Sequence, residues 1–280
     1  MSITHRITKE GISIIVFNTP IVDAAISVYG AHLLYWKPKE EKESIIYLSK
    51  LAKFERGTPI RGGIPICWPW FGTAGTPRHG YGRRSDWNED IAEIMNDGSV
   101  HAKFTLSLPK PIEVEGTVDF HINATQLTQS ITTTNNRENE SFDLSTALHA
   151  YFSIGDIYKV YITGLQNAKF VDNVKNEKGP HQENPLRFNG GQIDRTYNGV
   201  SGVLELHDED KNRIIRIVRE GSNSAIVWNA GEKYAKSLPD MEDEDYHRYV
   251  CLETANVLED TIKLSPKAQH TLKYTAYIVK

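Results

Sequence analysis

Two titratable residues in this chain have neighbours that would shelter a moving proton. Glu253 lies in VCLETANV, among small and apolar side chains, where a carboxylate is costly to bury unless it is paired or retained for chemistry. His149 lies in STALHAYF, and an imidazole is the side chain best suited to giving and taking a proton near neutral pH. A third group is cationic. From Arg61 to Trp87 the chain reads RGGIPICWPWFGTAGTPRHGYGRRSDW, a non-periodic stretch broken by glycines and prolines. Arg78, Arg83 and Arg84 fall within seven positions of it, and guanidinium forks suit a small anion such as phosphate.

Each residue also has a plainer reading. A single histidine in a strand is more often a hydrogen-bonded structural residue, and Glu253 taken alone is as easily exposed as functional. Asp194, in QIDRTY after Gly190-Gly191, fits a turn-forming aspartate. His79 has no His or Cys at metal-ligand spacing, and Gly80 and Gly82 form only a GxG fragment with no helix behind it. The run DMEDED, 240 to 245, reads as a solvated turn, since it lacks the glycine and closing glutamate of a calcium loop. No GxSxG, P-loop or HExxH occurs.

The elements that must position these groups are strands. Val100, Ala102, Phe104, Leu106 and Leu108 alternate with polar residues, as do Val118, Phe120 and Ile122, and then Leu127 and Ile131. Similar stretches at 12–17, 24–29, 144–152, 159–163, 203–206, 213–218, 225–229, 250–253 and 272–279, with Gly- and Asn-rich turns between them, predict an all-β protein built as a large antiparallel β-sandwich. Within 144–152, His149 shares a face with Ala147 and Tyr151. Within 250–253, Glu253 shares a face with Cys251, so register decides whether acid and base meet.

Composition narrows the partners. A formal net charge of −4 over 280 residues, with 24% charged residues, lacks the overall basic face of a nucleic-acid binder. No apolar run approaches the roughly 20 residues of a membrane helix, and MSITHRITKEGISIIVF shows no apolar h-region behind a basic start. The expectation is a single domain over residues 1–280, cytoplasmic and monomeric, with Cys67 and Cys251 reduced and the sequons at Asn123 and Asn139 unused.

Taken in order, RGGIPICWPWFG, PRHGYGRRSDW, LHAYFSIGDI, IDRTY, VWNAG and CLETANV resemble the aldose 1-epimerase superfamily, and within it the hexose-6-phosphate branch. The resemblance runs from GAHLLYWKP at Gly30 to ETANV. It implies a β-sandwich of the galactose mutarotase-like type and interconversion of the anomers of a phosphosugar, with no cofactor and no metal. It also assigns roles. His149 would protonate the ring oxygen and Glu253 would take the anomeric proton, the two acting from opposite sides of the C1–O5 unit. Asp194 and His79 would contact the sugar, and Arg61 and Arg83 the phosphate. Two departures stand out. Arg78 occupies a position where several relatives have Gln, and Ala230-Gly231 replaces a Pro-Trp; Arg78 would add a third phosphate contact. An epimerase for unphosphorylated sugars and a non-catalytic carbohydrate binder remain the rival readings.

Overall fold

The computed structural model describes residues 1–180 and 185–280. It is 51% strand and 6% helix, with antiparallel sheets, as the alternation predicts. Among the described residues one sheet has nine strands, in the order Leu186–Arg187, Val160–Thr163, Leu204–Asp208, Arg213–Glu220, Gln269–Val279, Gln126–Asn135, Val114–Ile122, Val100–Leu108 and Asn88–Ile94. The second runs Glu177–Pro180, Lys169–Asp172, Ile193–Asn198, Ser224–Asn229, Tyr249–Asn256, Thr146–Leu148 and Ile66–Cys67, with Tyr151–Ser153 also pairing to Tyr249–Asn256. A four-stranded meander, Ser2–Ile7 to His32–Pro38, forms a separate sheet whose Phe17, Leu33 and Trp36 pack into the same core.

One apolar cluster joins Phe104, Phe120, Ile131 and Leu272 of the first sheet to Leu148, Phe152, Val227, Val250 and Leu252 of the second. The sandwich core therefore lies between these faces, and each fully buried side chain of this size contributes about 1.5–3 kcal/mol. The reverse face of the second sheet carries a smaller cluster of Cys67, Ala147, Ile226, Ala255 and Val257, with Phe71 packed on it. Period-2 alternation thus sends odd and even residues of one strand to different surroundings.

Two sequence expectations change here. The 61–87 segment is not only a ligand loop: Ile64, Ile66, Trp68 and Trp87 are 0–2% exposed, and Trp68 Nε1–H donates to Thr133 Oγ1 at 2.9 Å. The aromatic residues anchor its ends in the core, which leaves the intervening arginines at fixed positions on the rim. The turn at Gly80 needs glycine, because φ is +70° and a Cβ would stand 2.1 Å from Trp68 O. The acidic 240–245 run is likewise not a solvated turn. Asp245 is 4% exposed and accepts a 2.7 Å hydrogen bond from the Tyr47 hydroxyl, while Asp240 faces Arg61.

Candidate active site

Strand register brings His149 and Glu253 together. Leu148 pairs with Thr254 and Tyr151 with Cys251; the same register extended between them sets His149 opposite Glu253. Opposed residues of an antiparallel pair have Cβ atoms about 4.5–5.5 Å apart, and here His149 Nε2 and Glu253 Oε1 are 3.3 Å apart. The 144–152 stretch is not the single strand its alternation predicts. It divides into Phe142–Leu144, Thr146–Leu148 and Tyr151–Ser153, with His149 in the gap. There the His149 amide donates to Pro65 O at 3.0 Å, and Pro65 has no N–H to return, so the ladder lapses at this residue.

The side chain of Glu253 is 1% exposed and that of His149 13%. Burial raises the Glu253 carboxyl well above its ordinary pKa, and the nearby Asp194 adds to the effect. Burial pushes His149 well below its ordinary value, with His79, Arg83 and Arg61 acting in the same direction. Both groups are thereby driven toward their neutral forms. Glu253 Oε2 and His149 Nδ1 are buried and make no hydrogen bond among the described residues.

A stability prediction follows from this direction. A carboxyl whose folded pKa is raised costs nothing below its unfolded value of about 4.3 and increasingly destabilises the fold as pH rises above it. Glu253→Gln should therefore raise Tm at pH 8, with a gain that shrinks to nothing as pH falls to about 4. Thermal melts of both proteins across that range check it; a variant less stable at pH 8 would contradict the buried charge cost.

The seven residues singled out in the sequence, Arg61, Arg78, His79, Arg83, His149, Asp194 and Glu253, all line one cavity of about 830 Å³. Their placements differ from the expectations in three respects. Asp194 is not in a turn: it lies on Ile193–Asn198 opposite Trp228, and its Oδ1 accepts from Asn173 Nδ2 at 2.9 Å. The two members of the acid–base pair, expected on opposite sides of the C1–O5 unit, touch each other. Arg61 already has partners: its Nε is 3.2 Å from Asp240 Oδ1 and its Nη1 donates to the Tyr151 hydroxyl at 3.3 Å. Burial opposes the Arg61 charge, but Tyr151 and Asp240 more than offset it and hold the guanidinium charged.

Arg83 is the contrasting case. It lies in the short 3₁₀ turn Gly82–Arg84, with no carboxylate bonded to it among the described residues, and its Nε and that of Arg84 are buried without a hydrogen-bond partner. Burial pulls its pKa below the usual guanidinium value, and the neighbouring arginines Arg84 and Arg61 also oppose its charge. A half-buried cation that no carboxylate bonds among the described residues is a site prepared for an anion. Arg78 is exposed at the rim.

His79 takes the left-handed region at φ +63°, a costly backbone state for a side chain. Its Nδ1 accepts from the Gly72 amide at 3.2 Å, so the neutral ring carries its proton on Nε2. Burial pushes its pKa down to about 3, with Arg83, Arg78 and Arg84 adding to the effect. The ring is a neutral hydrogen-bond donor. Cys67 and Cys251 are buried; burial raises both thiols, Cys67 to about 12, which leaves them inert.

Several lining residues escaped the sequence reading. Tyr151 stacks on His149 at 4.9 Å and 8°, and Trp228 meets the same imidazole edge-on at 6.1 Å. The period-2 rule that paired Tyr151 with His149 was the available signal. Asp240 had none, because its role depends on a contact with a residue 179 positions away. Arg84, one of the three clustered arginines, also lines the cavity. Gly231, where Pro-Trp was noted in relatives, sits at φ +64°, and a Cβ there would stand 2.3 Å from Gln192 N, so this backbone excludes a tryptophan.

The aldose 1-epimerase family model matches residues 13–277. A protein of Escherichia coli (strain K12) is 33% identical over 271 residues, covering 96% of this chain and 91% of its own length. One of Cenchrus ciliaris is 31% identical over 259 residues, covering 87% and 77% respectively. Both carry the name "Putative glucose-6-phosphate 1-epimerase". A crystal structure from Salmonella typhimurium, described as "a putative mutarotase (YeaD)", superposes with a TM-score of 0.90 at 29% identity and covers 99% of this chain and 94% of its own.

Proposed function

We propose, from the premise that this chain belongs to the aldose 1-epimerase family, that it interconverts the α and β anomers of a hexose 6-phosphate, with D-glucose 6-phosphate as its substrate. One observation carries this reading. An imidazole and a carboxyl face each other at 3.3 Å in the same cavity as a half-buried guanidinium that no carboxylate bonds among the described residues. The relatives' names agree with it.

Glu253 takes the proton of the anomeric hydroxyl while His149 gives one to the ring oxygen O5. The C1–O5 bond breaks and the aldehyde C1=O1 forms. Rotation about C1–C2 turns the other carbonyl face to O5. On closure O5–H returns its proton to His149, and O1 takes the proton held by Glu253. The two hemiacetal oxygens share one carbon, so an acid and a base in contact with each other can serve both. Each positioned transfer is worth roughly 10²–10⁴ in rate. Arg83, aided by Arg84 and Arg78, holds the phosphate; Asp194 and His79 Nε2–H bind hydroxyls, and Trp228 with Tyr151 walls the ring. The phosphate does not react, so its contacts orient the sugar.

The active pair holds one shared proton between the two residues. Burial disfavours both the state that has lost it and the state that has gained a second, so the two macroscopic pKa values move apart. kcat for anomer exchange should therefore form a bell with a broad flat top, changing little over about two pH units around neutrality. Exchange NMR at saturating glucose 6-phosphate measures it; a kcat changing about tenfold per pH unit through pH 7 would contradict the shared-proton pair.

A further inference from the structure

On the opposite sheet, a row of cross-strand neighbours brings together a second chemistry. Glu93 pairs with His101 and His101 with His121 across three adjacent strands, and Asp119 lies two residues from His121 on the same face. His101 Nδ1 is 3.0 Å from Glu93 Oε1. Asp119 Oδ1 is 2.9 Å from His121 Nε2 and 3.4 Å from His101 Nε2. These three nitrogen and oxygen atoms lie within 4.8 Å of one another. Asp119 Oδ1 is buried and makes no hydrogen bond, while Asp119 Oδ2 lies 3.5 Å from His101 Nε2 in hydrogen-bond geometry.

We propose that His101, His121 and Asp119 form a site for a divalent transition-metal ion of the zinc class, with Glu93 as the outer partner of His101. With Nδ1–H donated to Glu93, the His101 ring presents its Nε2 lone pair to a carboxylate. That lone pair and Asp119 Oδ1, 3.4 Å apart, would both be satisfied by one metal ion held between them. The Glu93–His101 contact is the arrangement by which carboxylates orient metal-binding imidazoles. Two imidazoles and one carboxylate match the donor preference of zinc, whose bonds of about 2.0–2.2 Å leave a fourth tetrahedral position for water. Ligand atoms in tetrahedral array on one ion lie about 3.3–3.6 Å apart and these lie within 4.8 Å of one another, so the cluster closes by a movement of about 1 Å. The two rings stack at 4.4 Å and 8°, and the side chain of His121, 60% exposed, can tilt so that both nitrogens aim at one ion. Such an ion would pin the three strands together on a face of the protein that the reaction does not use.

The test is calorimetric titration of ZnCl₂ into untagged, chelator-stripped protein. The expected result is saturable binding of one equivalent. Affinity should weaken at least about tenfold in Glu93→Gln and by more in His101→Asn and His121→Asn, while His5→Asn leaves it unchanged. Zinc-edge X-ray absorption of the loaded wild type should show two imidazoles and oxygen in the first shell. Absence of one-equivalent binding, binding that survives both histidine substitutions, or a first shell without imidazole would each overturn the proposal.

Discussion

Glu253→Gln is expected to lower catalysed anomerisation of glucose 6-phosphate by about 10²–10⁴-fold while phosphosugar affinity stays close to that of the wild type. The amide fills the same space opposite His149 and can still accept a hydrogen bond from it, but it cannot take the anomeric proton. The loss should therefore fall on kcat. Ground-state binding should survive because it rests on the guanidinium groups, Asp194 and the aromatic walls, none of which is altered. Since the substitution also relieves a buried ionisable group, inactivity cannot be ascribed to unfolding: the variant should melt higher at pH 8. Anomer exchange by NMR and calorimetric binding of glucose 6-phosphate separate the two quantities. Near-normal turnover would remove Glu253 as the base.

Arg83→Ala should raise KM for glucose 6-phosphate by about 10- to 150-fold, the equivalent of one or two charge-assisted hydrogen bonds of 1.5–3 kcal/mol in all. The same change should leave KM for glucose nearly as it was. Arg83 is chosen over Arg61 because Arg61 is already engaged by Asp240 and Tyr151, whereas no carboxylate bonds to Arg83 among the described residues. Arg78 is exposed, where solvent screening weakens a phosphate contact, so its truncation should have the smaller effect. Steady-state anomerisation of both sugars distinguishes the roles; equal losses on both would mean that Arg83 shapes the loop instead.

The sandwich was legible because its strands alternate cleanly. Phe104 and Phe120 send their rings inward while Lys103 and Asp119 stay at the surface, and a period of two needs no tertiary information. His149 and Glu253 could be placed on faces but not paired, since the residue opposite each depends on register between strands about a hundred positions apart. The division at His149 was hidden for a related reason: it depends on Pro65, which directly precedes the strand Ile66–Cys67. Asp194 read as a turn residue because Gly190-Gly191 precede it, whereas strand pairing to Trp228 overrides that local signal. The ionisation of the pair was the least legible feature. Its sign comes from burial by both sheet and loop, which no window of sequence displays. The arginine segment read correctly as charged and irregular. Its tryptophans Trp68 and Trp87 are the anchors that hold it, a role that depends on the distant core they enter.

The most direct test of the central claim is two-dimensional exchange NMR of the α and β C1 signals, with catalytic wild-type protein, on glucose 6-phosphate and on glucose in parallel and with Glu253→Gln as the blank. The predicted result is accelerated exchange of glucose 6-phosphate by the wild type, a kcat/KM at least about tenfold lower for glucose, which lacks the Arg83 contact, and no acceleration by the variant. Equal catalysis of both sugars, or no acceleration of either, would contradict it.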